Sequence, residues 1–261
     1  MGNDTSALPR LHRHPDAITQ VMVKISDGRV AAMTRHLVSV IAAFSVTASV
    51  CAAPVAAADT YVTPGDPIVI SEADGSGGIC TLGPYMVVNG VYGAITAGHC
   101  GSSGATVSLK NNDGSLVPLA KLSGSTDTDS ADSAFVPLPS PLIDPAASIL
   151  GTLPVEGAVD MPEVMQSIQL GSTPLRVCAT GVASARRCGN VIGANPGYNR
   201  IYARFPSDHG DSGGPVWADG VRGGVRVVGI LRGKLNDDPS VSVIFPISVA
   251  VREQGGSLLA N

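Results

Sequence analysis

The sequence predicts an all-β protein built from many short strands. Its 261 residues include 31 glycines and 19 prolines, 44% are apolar, and 15% are charged. Glycine and proline favour turns over long helices, and this share of apolar residues can bury a substantial core. The net charge of -4 without a basic stripe, together with only 4% aromatic residues, argues against a nucleic-acid partner.

Short apolar runs recur between turn signals, and they are the predicted strands. Turns are indicated at Asn89-Gly90, Asp113-Gly114, Asn195-Pro196-Gly197 and Asp219-Gly220. No run after the N-terminal region has a helical period longer than two turns, except for a short C-terminal helix expected over Ile247–Gln254. The predicted strands are Tyr85–Val88, Gly93–Thr96, Thr106–Leu109, Ala134–Leu138, Ile149–Leu153, Ser167–Leu170, Arg176–Ala179, Arg200–Phe205, Pro215–Trp217, Val225–Leu231 and Val241–Pro246.

Residues 1–58 are predicted to be an N-terminal extension and a signal peptide. The uncharged apolar run Leu37–Val50 follows Arg35-His36 and precedes the small residues Ala56–Ala58. This order of basic, apolar and small residues is typical of a secretory signal, and translation is expected to start at Met33. A membrane anchor is the alternative, but small residues and Pro54 favour cleavage. We therefore expect an extracytoplasmic protein, secreted or held in the cell envelope, without stable membrane insertion.

Four cysteines remain after the signal, an even number that indicates two disulfides in an exported chain. Three pairings are possible. We favour the sequential one, in which Cys80 bonds Cys100 and Cys178 bonds Cys188.

The strongest functional signal is Gly210–Pro215, with the sequence Gly-Asp-Ser-Gly-Gly-Pro. Glycines around Ser212 allow a tight turn that presents the serine hydroxyl to a substrate carbonyl, which a side chain at Gly213 or Gly214 would crowd. Such a serine needs a base. His99, in Thr96–Cys100, ends a predicted strand beside a cysteine, whereas His209 lies three residues from Ser212 on the same turn and is badly placed to reach its hydroxyl.

A buried carboxylate is required to orient the histidine. Most carboxylates between His99 and Ser212 lie in polar or proline-rich loops. Asp132 is followed by a buried-strand pattern, Ser133–Val136, and is the first candidate; Asp129 is the second.

The motifs Thr96–Cys100 and Gly210–Pro215 resemble those of the chymotrypsin-like serine proteases, above all the bacterial streptogrisin and α-lytic branch. The likeness covers roughly residues 78–255, and the segment from Cys178 to Cys188 is similar to a disulfide loop of that branch. The resemblance implies two packed six-stranded Greek-key β-barrels with the active site between them. We accordingly predict a protease domain over residues 78–261, preceded by an irregular N-terminal strap over residues 59–77.

The resemblance also implies roles for single residues. His99, Asp132 and Ser212 would form the catalytic triad, and the backbone N–H groups of Gly210 and Ser212 the oxyanion hole. The residues expected to bind substrate are His209, Leu231, Arg232 and Gly233. The implied function is a secreted serine endopeptidase that acts on polypeptides, needs no metal or cofactor, and is expected to be a monomer.

Two positions depart from the family pattern. Ala179 stands where the bacterial relatives have an arginine that pairs with the aspartate before the nucleophile, so Asp211 needs another partner; Arg176, Arg186 or a new N-terminal amine are candidates. Arg232 replaces a small residue, usually serine, and either turns to solvent, biases the pocket towards acidic or polar side chains, or partly blocks it. These departures leave a catalytically weak or inactive binding protein as an alternative function. A non-enzymatic β-sandwich fits less well, because both motifs occur in family order.

Overall fold

The computed structural model describes residues 61–261, except residues 111–112, 145 and 171–173. The signal peptide and extension predicted for residues 1–58 lie outside the described residues. Across the described part of the chain, no helix is both long enough and apolar enough to span a membrane.

The first barrel is formed by two antiparallel sheets with strand orders β2-β1-β5-β6 and β3-β4-β8-β7. Two of its strands are interrupted, one at Leu82–Pro84 between β2 and β3 and one at Leu122 between β6 and β7. Pro84 cannot donate a ladder hydrogen bond, so the chain bends there and its two parts pair in different sheets. Counted through these bends, the barrel has six strands. The bounds are β1 Pro67–Ser71, β2 Gly77–Thr81, β3 Tyr85–Val88, β4 Val91–Thr96, β5 Thr106–Lys110, β6 Leu116–Lys121, β7 Ser123–Asp127 and β8 Asp132–Pro137.

The second barrel closes six strands in the order β14-β11-β12-β13-β16-β15, with β14 also paired to β15. Two further strands, β10 and β9, extend the sheet beyond β15, and β17 joins the first barrel beside β3. The bounds are β9 Ser148–Ile149, β10 Leu153–Ala158, β11 Arg176–Gly181, β12 Ala185–Asn195, β13 Arg200–Ala203, β14 Pro215–Asp219, β15 Val225–Lys234, β16 Ser242–Pro246 and β17 Gly256–Leu258. The predicted two-barrel, all-β fold is confirmed.

Three clusters of buried side chains form the core. One fills the first barrel around Ile68 and Leu82, and one fills the second around Val177 and Ile244. The third lies between the barrels and draws on both, with members including Ile95, Phe135, Trp217 and Phe245. The two barrels therefore pack through a continuous apolar interface.

Helices are few and short among the described residues. The predicted C-terminal helix is present as α2, Ile247–Glu253. The helix α1, Met161–Leu170, was not predicted, and the strand predicted at Ser167–Leu170 is wrong. Met161, Val164 and Ile168 recur at helical spacing and pack in the core, but this pattern covers only two turns and is too short to predict a helix.

Other differences concern the number and bounds of the strands. The segment predicted as an irregular strap contains β1, which pairs with both β2 and β5 and contributes Ile68 and Ile70 to the core. The long strand β12 was missed because its residues are mostly polar or half-exposed. Most of the strand predicted at Ile149–Leu153 is a turn between β9 and β10.

Candidate active site

The serine of the Gly210–Pro215 motif lies on a turn just before β14. Gly210 and Gly213 adopt φ values of 101° and 85°, which disfavour any residue with a side chain. A Cβ at Gly213 would also overlap Thr96 and the backbone carbonyl of Thr81. The turn is therefore open only to glycine at these positions, and Ser212 remains partly accessible at its tip.

His99, Asp132 and Ser212 are brought together at the boundary of the two barrels. His99 lies on a short 3-10 helix, Gly98–Cys100, after β4, and its Nε2 is 2.8 Å from the Ser212 Oγ. Its Nδ1 lies 3.0 Å from each carboxylate oxygen of Asp132, the first residue of β8. The backbone N–H of His99 also donates to Asp132 Oδ1 at 3.0 Å. This double attachment fixes both the ring and its backbone to one carboxylate.

The electrostatic environment of His99 favours its protonated form. Asp132 is fully buried, and its hydrogen bond to the imidazole is the main reason that the pKa of His99 is raised above its ordinary value. Burial of the ring opposes this rise in pKa, as does the positive charge of Arg232, whereas Asp127 adds to it. An imidazole that gains a proton readily is suited to act as a base.

Asp211, the residue before the serine, is held by backbone groups. Its Oδ1 accepts hydrogen bonds from the N–H groups of Ala183 and Ser184 at 2.8 and 2.9 Å, and its Oδ2 accepts one from Asp208 at 2.7 Å. The turn at 181–184 approaches so closely that a Cβ at Gly181 would overlap the carboxyl group.

Neither of the two arginines considered for Asp211 from the sequence takes part in these bonds, and the new N-terminal amine, the third candidate, lies outside the described residues. Arg176 and Arg186 instead point to the sulfur of Cys178, at 3.8 and 3.9 Å. The backbone N–H groups compensate for the missing arginine at Ala179, so the buried carboxylate keeps charge-assisted hydrogen bonds.

The backbone N–H groups of Gly210 and Ser212 donate to no protein group among the described residues. The peptide between Gly210 and Asp211 is oriented by Thr81, whose hydroxyl donates to the Gly210 carbonyl at 2.8 Å and accepts from the Val182 N–H at 3.0 Å. Thr81 was not identified from the sequence, since nothing local marks a buried threonine as a contact of a turn 129 residues away.

Arg232 does not turn to solvent. Its side chain is 19% exposed and lies against the loop that carries Asp132, with Nη1 3.3 Å from Asp132 Oδ2. Its Nη2 lies 3.4 Å from Asp127 Oδ1 and 3.0 Å from the Thr128 carbonyl. The sequence placed Arg232 in the cleft but not in contact with the candidate triad.

Two cavities flank Ser212. The larger, of about 780 Å³, is bounded by Gly77–Cys80, His99 and Ser102. The smaller, of about 320 Å³, is bounded by His209, Arg232, Gly233 and Lys234, so three of the four predicted substrate-binding residues line it.

Leu231, the fourth predicted substrate-binding residue, lines neither cavity. It is buried, and its backbone exchanges hydrogen bonds of 2.8 Å with Gly213 and Gly214. Leu231 therefore supports the serine turn instead of lining the cleft. Lys234 was missed because its place in the cavity depends on the register of β15 against the serine turn.

Both disulfides follow the sequential pairing, with Cys80 bonded to Cys100 and Cys178 to Cys188. The first links β2, at the wall of the larger cavity, to the helical turn that carries His99. The second joins β11 to β12 in the second barrel. No group of three or more His, Cys, Asp or Glu side chains in the described part of the chain could hold a metal ion.

Neither a family model nor a curated protein matches the sequence. Solved structures do resemble the chain. Protease A of Thermobifida fusca superposes with a TM-score of 0.56 and 20% identity, covering 77% of this chain and all of that one. A glutamic acid-specific serine protease, described as using a novel histidine triad in substrate binding, has a TM-score of 0.56 and 20% identity over 76% of this chain and 100% of its own. Chymotrypsin of Cellulomonas bogoriensis has a TM-score of 0.54 and 22% identity over 77% of this chain and 99% of its own. The chain thus has the fold of the bacterial chymotrypsin-like serine proteases.

Proposed function

We propose that this chain is a secreted serine endopeptidase that hydrolyses peptide bonds through an acyl-enzyme. The observation that carries the proposal is the continuous hydrogen-bonded series from the Ser212 hydroxyl through the His99 imidazole to the buried Asp132 carboxylate. A hydroxyl 2.8 Å from a histidine nitrogen is activated only if that nitrogen can accept its proton, and the carboxylate on the other nitrogen favours that tautomer.

In the first step, the Ser212 oxygen forms a bond to the substrate carbonyl carbon while His99 Nε2 takes the hydroxyl proton. The carbonyl electrons move to its oxygen, and the resulting oxyanion accepts hydrogen bonds from the free N–H groups of Gly210 and Ser212. The carbon–nitrogen bond then breaks as His99 returns the proton to the leaving amine. An acyl-Ser212 ester remains.

In the second step, His99 removes a proton from a water molecule that attacks the ester. The tetrahedral intermediate collapses, the carboxylic acid product leaves, and the proton returns to Ser212. Asp132 stays ionised throughout, holding the imidazole in place and stabilising its protonated form. Removing any one of the three residues would interrupt proton transfer.

Export is part of the proposal. Two disulfides in a chain of this size fit an oxidising compartment, and the sequence before residue 59 has the order of a signal peptide. The substrate is a polypeptide, and the open cavities on both sides of Ser212 leave room for chain segments on both sides of the scissile bond.

The cleavage preference we propose is for an acidic side chain in the smaller cavity. His209, Lys234 and Asp208 line this cavity, and because the 3.1 Å ion pair between Lys234 and Asp208 is exposed to solvent, it is weak and leaves the ammonium able to meet an acidic substrate side chain. The Arg232 guanidinium is committed to Asp132 and the loop before it, so its charge contributes only from the cavity wall. The glutamic acid-specific serine protease of similar fold is described as using histidines in substrate binding, and this is a precedent for such a role of His209. A peptide-library profile is expected to favour acidic residues before the cleaved bond, and a preference for bulky apolar or basic residues would refute it.

The activity itself is tested by covalent labelling with a fluorophosphonate probe, which reacts with activated serines. Labelling of the purified protein is expected to be lost in Ser212→Ala and His99→Ala. It is expected to persist in Ser257→Ala, an exposed serine on β17 that serves as the matched control.

A folded, doubly disulfide-bonded wild type that takes no label would contradict the proposal. It would favour the alternative of an inactive protease-fold binding protein, for which Ala179 and Arg232 are the departures in sequence. The contacts of Asp211 weaken that alternative, since its carboxylate is fully engaged without an arginine.

A further inference from the structure

Four successive backbone carbonyls in the loop before Asp132 accept hydrogen bonds from side chains of the second barrel. We name residues 128–131 the aspartate loop. Arg232 donates to its first and last carbonyls, Thr128 and Ala131, at 3.0 and 3.3 Å. Arg200 donates to the Asp129 carbonyl at 3.1 Å, and Asn199 to the Ser130 carbonyl at 2.9 Å. The loop is thus fixed to the barrel that carries Ser212.

Arg232 is the member of this set that also reaches the candidate triad. Its Nη1 lies 3.3 Å from both Asp132 Oδ2 and the Ala131 carbonyl, and its Nη2 lies within 3.4 Å of both the Thr128 carbonyl and Asp127 Oδ1. Three of these contacts are hydrogen bonds, to the Ala131 and Thr128 carbonyls and to Asp127 Oδ1, and the fourth is an ion pair with Asp132. A planar fork is suited to such an arrangement, and a lysine could not reproduce it.

We propose that Arg232 is a positioning residue of the triad, clamping the aspartate loop to the second barrel and sharing the charge of Asp132 with His99. The proposal rests on the proposed function and deepens it. It replaces the interpretation of Arg232 as the main determinant of substrate charge, because both of its terminal nitrogens are already engaged by Asp127, Asp132 and the aspartate loop.

The clamp has an electrostatic consequence for His99. Asp132 and Asp127 raise the pKa of His99, whereas the positive charge of Arg232 lowers it. On the far side of Asp132, Glu253 of α2 accepts a hydrogen bond from Ser133 at 2.9 Å, and burial raises the pKa of Glu253. Across the cleft, the cavity beside His99 is lined by His209, Asp208 and Lys234. Within this set, Arg232 is the cation that touches Asp132 directly, so its removal should increase the affinity of His99 for a proton.

The test compares Arg232→Met, Arg232→Lys and Asp127→Asn in two measurements. The first is the pH profile of kcat/KM. The second is the NMR titration of the His99 imidazole, assigned by its absence in His99→Gln, which needs no turnover. Arg204→Met is the matched control, because Arg204 is an exposed arginine whose one ion-pair partner within the described residues is Asp238, at 3.7 Å.

Arg232→Met is expected to lower kcat/KM roughly tenfold on the alkaline plateau, since the aspartate loop loses its clamp. It is also expected to move the acid limb and the His99 titration to higher pH. Arg232→Lys keeps the charge and should lose rate with a smaller shift. Asp127→Asn should shift the titration to lower pH, and Arg204→Met should leave both measurements unchanged.

A loss of rate in Arg232→Met without any shift in titration would mean a purely structural side chain and would overturn the proposal. If the methionine variant does not fold, Arg232→Gln takes its place, since it keeps hydrogen-bonding groups without the charge. A loss of rate in Arg232→Gln without a shift in the His99 titration would then overturn the proposal. A wild type that does not hydrolyse peptides but shows the shifts would refute the proposed function and leave the role of Arg232 intact. A wild type that hydrolyses peptides, with variants that show no shifts, would support the proposed function and refute the role of Arg232.

Discussion

Replacing Asp211 by asparagine tests whether backbone N–H groups alone can hold the carboxylate before the nucleophile. The carboxylate is 1% exposed and accepts three hydrogen bonds from backbone N–H groups. An asparagine can keep its oxygen towards Ala183 and Ser184, but its NH2 group then faces the N–H of Asp208, where two donors meet.

The expected cost follows from these bonds. A hydrogen bond to a charged group contributes roughly 1.5–3 kcal/mol, against about 1 kcal/mol for a neutral one. Asparagine loses the bond from Asp208 and weakens those from Ala183 and Ser184. Because a buried charge is also removed, part of the lost free energy of folding is recovered. The net destabilisation should be about 2–3 kcal/mol.

The assay is urea unfolding at neutral pH with the disulfides intact, in a Ser212→Ala background that prevents self-cleavage. Arg176→Met is the control, because exposed Arg176 contacts the Cys178 sulfur and not Asp211, and it should stay within about 0.5 kcal/mol of the parent. An Asp211→Asn variant equally close to its parent would refute the reasoning. A large loss in Arg176→Met would show that an arginine supports this turn after all.

Three further predictions concern the disulfide, the base and the oxyanion turn. Replacing Cys178 and Cys188 together by alanine should lower the free energy of unfolding by about 3 kcal/mol, from the entropy of a loop with a separation of 10 residues, as measured by urea unfolding. Because the hydrogen bond that His99 donates to Asp132 raises the pKa of His99, kcat/KM should fall as the pH drops through that raised value. The interaction of protonated His99 with Asp132 contributes fully to the stability of the fold below the ordinary histidine pKa. This contribution is lost as the pH rises through the raised pKa of His99. A pH profile whose acid limb lies at or below the ordinary histidine pKa would contradict the expected fall in kcat/KM. The variant Asp132→Asn should reduce kcat/KM about 10⁴-fold. Thr81→Val removes the hydroxyl bond to the Gly210 carbonyl and the one from the Val182 N–H, and should lower kcat roughly tenfold with little change in KM, whereas Thr81→Ser should keep the kcat of the wild type.

The parts of the site that the sequence predicted are those encoded locally. The serine turn needs left-handed backbone at Gly210 and Gly213, and glycine is the residue that adopts it without strain, so the motif reads directly as a turn. Asp132 was found because a strand of buried residues follows it at once, and burial is visible as an apolar pattern. Their catalytic roles remain predictions.

The parts that escaped depend on contacts between distant segments. The partners of Asp211 are backbone N–H groups, which every residue but proline carries, so no side-chain pattern marks them. Arg232 contacts residues about 100 positions away in the other barrel. Strand β1 contains the strand-favouring residues Ile68, Val69 and Ile70, but this short run lies among turn residues, and its pairing with β2 and β5 is a contact between distant segments.

The contact between His99 Nε2 and Ser212 Oγ crosses the boundary of the two barrels, since one residue comes from each. Its 2.8 Å length is thus set by how the side chains between the barrels, such as Phe135 and Trp217, fit together. A volume change there that slides one barrel by about 1 Å would leave both barrels folded and separate the two atoms that the proposed reaction requires in contact. The packing between the two barrels, and not only the residues of the site, therefore sets how far the distance between His99 and Ser212 can change before the proposed reaction is lost.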